Sequence, residues 1–393
     1  MPLLPVAEAQ ARLLALRDPV EVETLPLAQA AGRWIAGPIT ALRTQPSRDL
    51  SAMDGYAIAH KALPGPFRLI GESAAGRPFA GPVAPGETVR IFTGAAMPAG
   101  ADCVLVQEEA RVDGAHVHLA GEGPAHPGRN VRRAGLDFSK GEALIDAGQR
   151  LTPARIALAA VAGHATLPVR RRIRVAIAAT GDELRPAGAP LGDGDLPESN
   201  GVMLAALFAS LPVDLVELGI LPDRLDVLRD AFAGARADIL VTTGGASVGD
   251  HDLVRPALEA AGAVIDFWRV ALRPGKPMLA GRLGEGVVVG LPGNPVSAFV
   301  TATLFVRPLV AHLSGAAHPL PRTIPAILGE PLPTNGERTD YLRGRRIDGH
   351  IHVAAIQDSS MLRTLARADC LVLREPHAPA AAAGDSVQIL DLA

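Results

Sequence analysis

Apolar residues follow helical spacing in some parts of the chain and short separate runs in others. Residues 6–17 and 27–36 carry apolar side chains at helical spacing, and each run ends at a proline-containing stop, which predicts a helix over each. From residue 54 to about 145, short apolar runs alternate with glycine- and proline-rich turns, as in a small β domain. These runs cover 67–70, 88–92 and 103–107. Helical spacing returns over 153–163, so we predict that the β domain is inserted into a helical one.

The pattern changes at residue 171, after which strands and helices alternate up to about residue 313. Strands are predicted over 173–179, 213–218, 238–243 and 287–291, and helices over 201–211, 223–236, 252–261 and 296–312. This alternation predicts a doubly wound parallel sheet with helices on both faces. After residue 320, short strands over 341–347, 351–356 and 370–374 predict a second small β domain.

The fold class is therefore predicted to be multidomain α/β plus β, with four domains. The first, helical and extended, is discontinuous and comprises residues 1–53 and 140–170. The inserted β module covers 54–139, the parallel α/β domain 171–316, and the C-terminal β domain 317–393. A chain of 393 residues with 48% hydrophobic residues is large and apolar enough to bury several cores.

Composition argues against several classes of protein. The formal net charge of −3 and the aromatic content of 3% disfavour a nucleic-acid binder. Two cysteines, Cys103 and Cys370, are too few for a disulfide framework or a zinc site. The N-terminus lacks the layout of a signal peptide, and no run of 18 uncharged apolar residues occurs. We therefore expect a cytoplasmic protein that binds neither nucleic acid nor membrane.

Three loops leave the carboxyl ends of the predicted parallel strands, where ligands bind in open α/β sheets. They cover residues 180–183, 243–252 and 291–297 and are expected to meet at one rim. The second loop is rich in glycine, and its backbone, Ser247 and the amides of the next helix start suit a phosphate. It matches neither the dinucleotide fingerprint nor a Walker loop. The alternative to a phosphate site in the second loop is an ordinary glycine-rich turn. For the first loop, the alternative to a ligand site is a capped helix start.

Charged residues near this rim suggest an anionic ligand. Arg273 and Lys276 stand three residues apart on a segment stiffened by prolines, which suits an anion clamp, although a solvated turn is the alternative. Only three of the 38 basic residues are lysines, so a lysine here is informative. Glu183, Asp223 and Asp252 complete a mixture that suits a phosphorylated ligand with a divalent metal such as magnesium. Each acid taken alone has the simpler interpretation of a helix cap or a surface charge.

Six motifs follow one another along the chain: SAMDGYA (51–57), FTGAAMPAGAD (92–102), TGDEL (180–184), GGASVGDHD (244–252), RPGKP (273–277) and LPGNPVSA (291–298). Taken alone, the first two suit functionless turns. Together the six closely resemble the MoeA family of molybdopterin molybdenumtransferases, which includes the E domain of gephyrin. The resemblance covers nearly the whole chain.

This resemblance implies insertion of molybdate into adenylylated molybdopterin, with release of AMP and with Mg²⁺. It also implies an elongated homodimer, in which each subunit has a helical domain with an inserted β module, a molybdopterin-binding α/β domain and a C-terminal β-barrel-like domain. The upstream molybdopterin adenylyltransferase is a possible partner. Residues of the inserted module are expected to complete the site across the dimer interface.

Residue by residue, the resemblance implies catalytic roles for Asp54, Thr93, Asp137, Glu183, Asp223 and Asp252, with Asp223 and Asp252 binding the metal. The motifs and the resemblance together give as substrate-binding residues Thr180, Gly181, Gly244, Gly245, Ser247, Gly249, Arg273, Lys276, Pro292, Gly293, Asn294, Ser297, Arg343, Ser359 and Ser360. Two positions depart from the family pattern. Arg273 stands where a lysine is usual, and its planar fork changes the donor geometry. Leu136 replaces the acid that usually precedes Asp137.

Three alternative functions are less consistent with the sequence. An adenylyl transfer enzyme is disfavoured by the β module and the C-terminal domain, which relatives built from the α/β domain alone lack. A non-catalytic scaffold is disfavoured by the intact acidic residues and by the missing linker and extra domain of gephyrin. A nucleotide-dependent dehydrogenase is disfavoured by the missing fingerprint.

Overall fold

The computed structural model describes residues 3–245 and 253–392. Within these ranges the helices are α1 (Val6–Leu14), α2 (Pro153–Val161), α3 (Asn200–Phe208), α4 (Leu225–Gly234), α5 (Val254–Ala260), α6 (Pro295–Thr301), α7 (Arg307–Leu313) and α8 (Leu362–Leu365). The strands are β1 (Val22–Pro26), β2 (Ile39–Thr40), β3 (Leu50–Ser51), β4 (Gly55–Ile58), β5 (Phe67–Ser73), β6 (Glu87–Ile91), β7 (Cys103–Val106), β8 (Ala110–Asp113), β9 (His116–Leu119), β10 (Val131–Arg132), β11 (Ala143–Ile145), β12 (Thr166–Arg170), β13 (Ile173–Thr180), β14 (Leu184–Arg185), β15 (Leu196–Pro197), β16 (Val213–Leu221), β17 (Ile239–Thr243), β18 (Val264–Trp268), β19 (Leu272–Arg273), β20 (Leu279–Leu283), β21 (Gly286–Leu291), β22 (Ile324–Ile327), β23 (Thr339–Ile347), β24 (His350–Val353), β25 (Cys370–Arg374) and β26 (Ser386–Asp391).

The segments before and after the inserted β module are joined by short antiparallel pairs, β1 with β12 and β2 with β11. The helix predicted over 27–36 is wrong, because only Leu27–Gln29 forms a short 3₁₀ turn. Gly32 then adopts a φ of +76°, and Ile35 bridges to Val169 in extended conformation. The apolar side chains that suggested a helix instead pack into a core with strand β12, and Ile35 is fully buried there.

The inserted module is a six-stranded sheet in the order β7-β4-β6-β5-β9-β8. Neighbouring strands are antiparallel except β5 and β6, which are parallel. Phe67, Leu105 and Val117 pack on one face of this sheet, where they are fully buried. The alternation of short strands and turns in the sequence therefore predicted this module correctly.

The α/β region is built on a six-stranded sheet in the order β16-β13-β17-β21-β20-β18. The first four strands are parallel, as predicted, and the sequence analysis missed the antiparallel strands β20 and β18. Helices α4 and α5 pack on one face and α3, α6 and α7 on the other, so the sheet is doubly wound. Helix α1 also packs on the second face, where Gln10 donates to the Leu304 carbonyl at 2.8 Å.

The run from α6 through a π-helical segment to α7 spans Pro295–Leu313. In the described part of the chain it is the one helical run long and apolar enough to cross a membrane. Most of it is buried against the sheet, as is usual for a core helix.

The C-terminal region is a sheet in the order β19-β23-β25-β26-β22, with β24 paired to the second half of β23. A bridge between Leu328 and Ile351 brings β22 beside β24, so the strands close into a barrel-like shape. Strand β19 comes from the α/β region and pairs with β23, which joins the two regions directly.

A buried carboxylate fixes the amino end of the central strand β17. Asp238 is 1% exposed at its side chain and receives two hydrogen bonds from Arg171, at 2.6 and 2.8 Å, and one from the Arg174 amide. Arg17 adds an ion pair at 3.0 Å. Burial alone would raise the pKa of Asp238, but these partners outweigh it and lower the pKa to about 2.

We expect Asp238→Asn to lower the free energy of unfolding at pH 7 by about 3 kcal/mol, because a buried ion pair loses one partner. The folded-state pKa lies below the unfolded one. The stabilisation is therefore fully present above about pH 4 and disappears as pH falls through about 2. Urea unfolding of both proteins between pH 7 and 2.5 checks this. Asp214→Asn, which removes the exposed pair with Arg172, is the control and should cost under about 1 kcal/mol. A cost at pH 7 no larger than the control's would contradict the prediction.

Candidate functional site

The described parts of the three predicted loops meet at the carboxyl edge of the parallel sheet. Strand register sets Thr243 beside Leu291 and Ala179, so the loops leave the sheet side by side. Gly244 has a φ of +91°, and a Cβ there would lie 2.5 Å from the Thr180 carbonyl oxygen. A Cβ on Gly293 would lie 3.5 Å from the Gly244 Cα. Glycine at 244 therefore lets this loop approach the Thr180 backbone closely, whereas the distance at Gly293 is that of an ordinary van der Waals contact.

A cavity of about 870 Å³ opens over these loops. Ten of the predicted residues line it: Thr180, Gly181, Glu183, Asp223, Gly244, Gly245, Pro292, Gly293, Asn294 and Ser360. Its volume lies in the range typical of sites for small ligands and cofactors. Ser247, Gly249 and Asp252, which were also predicted, lie outside the described residues.

The C-terminal region supplies one wall of this cavity through Ser360 and Leu362. Ser359 docks on the start of α6, where its hydroxyl accepts from Asn294 Nδ2 at 2.9 Å and its carbonyl accepts from the Val296 amide at 3.1 Å. The Ser360 hydroxyl and amide both donate to Asp358 Oδ1, which fixes the turn. The site therefore lies between two domains, as many ligand sites do.

Arg343 holds the segment that carries these serines. It is 1% exposed, and its guanidinium donates to Gln357 Oε1, to the Asp358 carbonyl at 2.7 Å and to the Ile356 carbonyl. Burial lowers its pKa below the usual value. Its guanidinium is thus engaged with the protein's own backbone, so the structure gives it a positioning role.

We expect Arg343→Met to reduce activity by about tenfold or more, because three acceptors lose a charged donor and the segment loosens. Hydrogen exchange of peptides that cover residues 354–362 should accelerate. Arg345→Met removes an exposed arginine from the same face of β23 and should change neither quantity. Unchanged exchange in the Arg343 variant would refute the positioning role.

Acidic residues crowd one side of the cavity. Burial raises the pKa of Asp223, and the charges of Asp182 and Glu183 raise it further. Asp182 Oδ1 also accepts from the Asp223 amide at 3.0 Å. Such crowding is typical of sites that receive a cation or a proton. Within residues 3–245 and 253–392, no three His, Cys, Asp or Glu side chains are grouped to hold a metal ion.

The cationic pair lies at a different cavity, of about 270 Å³, which Asp340 and Arg338 also line. Arg273 forms an ion pair with Asp340, whose side chain is buried, while Lys276 is exposed and forms no ion pair within the described part of the chain. The two predicted clamp residues therefore differ in availability. Ser297 is buried in α6, away from both cavities, so its predicted contact with substrate stays a prediction.

The other predicted acids that the structure describes, Asp54 and Asp137, lie in the inserted module and do not line the large cavity. The amide and the hydroxyl of Thr93 donate to Asp54 Oδ1 at 2.7 and 2.8 Å, and these bonds lower the pKa of Asp54. Asp137 is exposed, and its amide donates to the Gln45 carbonyl. The structure therefore pairs Asp54 with Thr93 but does not bring either to the cavity in the same subunit.

Sequence reasoning missed one group of cavity residues, Glu198, Ser199 and Asn200, at the start of α3. These polar residues before an apolar helical run look like an ordinary helix start. Their one available signal was position, because this helix follows the loop that leaves β13 at the binding rim.

The fold and site define a multidomain enzyme with a ligand cavity at the carboxyl edge of an α/β domain. Family models match in three consecutive parts: the MoeA N-terminal region (domain I and II) over residues 4–163, a probable molybdopterin binding domain over 176–312, and the MoeA C-terminal region (domain IV) over 325–392. These matches group the α/β region of the chain with the probable molybdopterin binding domains.

Relatives and a solved structure agree. A molybdopterin molybdenumtransferase of Haemophilus influenzae is 35% identical over 98% of both chains, and one of Nostoc sp. is 34% identical over 95% of this chain and 89% of that one. The crystal structure of the molybdopterin biosynthesis moeA protein of Pyrococcus horikoshii matches with a TM-score of 0.86 and 26% identity, over 99% of this chain and 100% of that one. The chain belongs to the MoeA family of molybdopterin molybdenumtransferases. The resemblance and fold class predicted from sequence are confirmed, and the protein is a transferase of molybdenum cofactor biosynthesis.

Proposed function

We propose that the protein inserts molybdate into adenylylated molybdopterin and releases AMP, as a homodimer, with Mg²⁺. The observation that carries the proposal is the 870 Å³ cavity, which joins phosphate-compatible loops, crowded carboxylates and a C-terminal wall at the edge of the sheet. A ligand that has both a flat ring and a pyrophosphate needs a wall for the ring and a phosphate-compatible backbone in the same cavity.

The backbone around Gly244 and Gly293 suits the phosphate part of the substrate. Gly244 lacks a side chain where its backbone approaches Thr180, so an anion could come close to the backbone there. At the start of α6, Pro295 has no N–H, the Val296 amide donates to the Ser359 carbonyl and the Ala298 amide donates to the Asn294 carbonyl. We therefore assign the phosphate contacts to the loop backbone and not to these amides. Thr180 is buried beneath these loops and supports them.

The carboxylates fit a magnesium ion. The pKa of Asp223 is raised partly by the charges of Asp182 and Glu183, a repulsion that a divalent cation would relieve. Mg²⁺ commonly binds through one or two carboxylates plus substrate phosphates, so a cage of three protein ligands is not required. Asp223 and Asp252 would hold it. When bound, it offsets negative charge on the pyrophosphate as the bond to AMP breaks.

Molybdate is a tetrahedral dianion and needs cations that are not already neutralised. Lys276 offers an exposed ammonium, whereas Arg273 is compensated by Asp340. The cavity that these residues line is separate from the pterin cavity, but Pro277, the neighbour of Lys276, lines the larger one. We therefore assign Lys276 to the attraction of molybdate and Arg273 chiefly to the junction between domains.

A homodimer would bring Asp54 and Thr93 of one subunit to the cavity of the other. Large exposed apolar side chains flank the two acids in the inserted module: Met53, 43% exposed, precedes Asp54, and Leu136, 66% exposed, precedes Asp137. We place the protein in the cytoplasm, where an upstream adenylyltransferase would supply its substrate.

The test is AMP release from adenylylated molybdopterin, measured with and without molybdate and with and without Mg²⁺. We expect release that needs both ions. Formation of adenylylated molybdopterin from ATP would instead support the upstream adenylyl transfer reaction. Tight pterin binding without any AMP release would indicate a carrier.

A further inference from the structure

A buried amide at the large cavity uses only half of its hydrogen-bonding capacity. Asn200 is 8% exposed, begins α3 and lines the cavity. Its Nδ2 donates to the Gly293 carbonyl at 2.8 Å. Because a carbonyl only accepts, this bond fixes which end of the amide is nitrogen. The other end, Oδ1, is buried and has no hydrogen-bond partner within the part of the chain described.

The unpartnered oxygen is not the result of a poorly capped helix. Glu198 Oε1 accepts from the Gly201 amide at 2.7 Å, and the Ser199 carbonyl accepts from the Met203 amide at 3.0 Å. These two amides of the first turn of α3 are thus satisfied without the Asn200 side chain. A buried acceptor without a donor is costly, and native proteins rarely keep one without a purpose.

The chemistry of the oxygen limits its partner in the substrate to a hydrogen-bond donor. Phosphate and molybdate oxygens only accept at neutral pH and cannot satisfy Oδ1. A pterin ring carries an exocyclic amino group that donates. We propose that Asn200 Oδ1 accepts a hydrogen bond from this amino group, so that Asn200 determines specificity for an amino-bearing pterin. This rests on the proposed function, because it assigns the ring of that substrate to this side of the cavity.

Two fluorescent probes test the proposal: pterin, which has the amino group, and lumazine, which has an oxygen in its place. Titration of the full chain should give pterin a dissociation constant about five- to tenfold lower than that of lumazine. Asn200→Leu should remove this preference mainly by weakening pterin, and Asn200→Ala serves if the leucine variant does not fold. Val202→Ala is the matched control, because Val202 lies on the same helix, is exposed and does not line the cavity, and it should keep the ratio.

Failure of the proposed function and failure of the Asn200 role give different results. Absence of pterin binding by the unaltered protein counts against the proposed function itself. Binding of pterin without preference over lumazine overturns only the role of Asn200. Equal weakening of both probes in the Asn200 variants overturns it as well, because a merely structural amide would affect them alike.

Discussion

Lys276→Ala should raise the molybdate concentration needed for half-maximal AMP release by about 30- to 100-fold, the loss expected for one charged hydrogen-bonding partner of a dianion. The ammonium of Lys276 is exposed and forms no ion pair among the residues that the structure describes, so its charge is available to an incoming anion. The rate at saturating molybdate should fall less, since the variant removes attraction and not the pterin cavity. The measurement is AMP release against molybdate concentration.

Two controls bear on this result. Lys140→Ala removes another exposed lysine, outside both cavities, and should leave the molybdate dependence unchanged. Arg273→Ala is not a matched control, because it also leaves the buried Asp340 without its ion-pair partner and should destabilise the junction of β19 with β23. An unchanged molybdate dependence in Lys276→Ala would exclude this residue from the anion site.

Asp54→Ala and Asp223→Ala should each reduce activity by about 100-fold or more as pure proteins, yet recover activity when their subunits are mixed. In a mixed dimer with a shared site, one cavity keeps its own Asp223 and receives an intact Asp54 from the partner. Random reassociation makes about half of the dimers mixed, each with one of two sites intact, so about a quarter of the original activity should return. Activity after denaturation and refolding of the mixture measures this.

A second mixture distinguishes a site shared between subunits from activity that returns merely because the subunits were refolded. Asp223→Ala mixed with Glu183→Ala should stay inactive, because both residues line the same cavity of one subunit. Failure of Asp54→Ala and Asp223→Ala to complement, in a preparation that light scattering shows to be dimeric, would rule out a site shared between subunits.

The parts of the site that follow from local topology were predictable. Parallel strands bring their carboxyl ends to one edge, so Thr180, Gly244 and Gly293 were expected to meet, and they do. The contact of Asn294 with Ser359 was not predictable, because it depends on how two domains face each other. No local pattern encodes that orientation.

The predictions from sequence that were wrong or incomplete also have physical causes. Over 27–36 the apolar spacing suited a helix, but Gly32 turns the chain, and Ile35 pairs with β12 in extended conformation instead. Asn200 escaped notice because its sequence setting is that of any helix start. The compensation of Arg273 by Asp340 depends on the register of β19 against β23, about 70 residues apart in sequence.

The docking of Ser359 on α6 also has a thermodynamic consequence. A ligand in the large cavity would touch Gly293 on one side and Ser360 on the other, and so would bind only while the two regions are joined. By linkage, substrate should then act as a reversible cross-link, since it stabilises the joined state and leaves the separated state unaffected. Thermal unfolding of the barrel and the α/β sheet should accordingly become more cooperative as pterin occupancy rises.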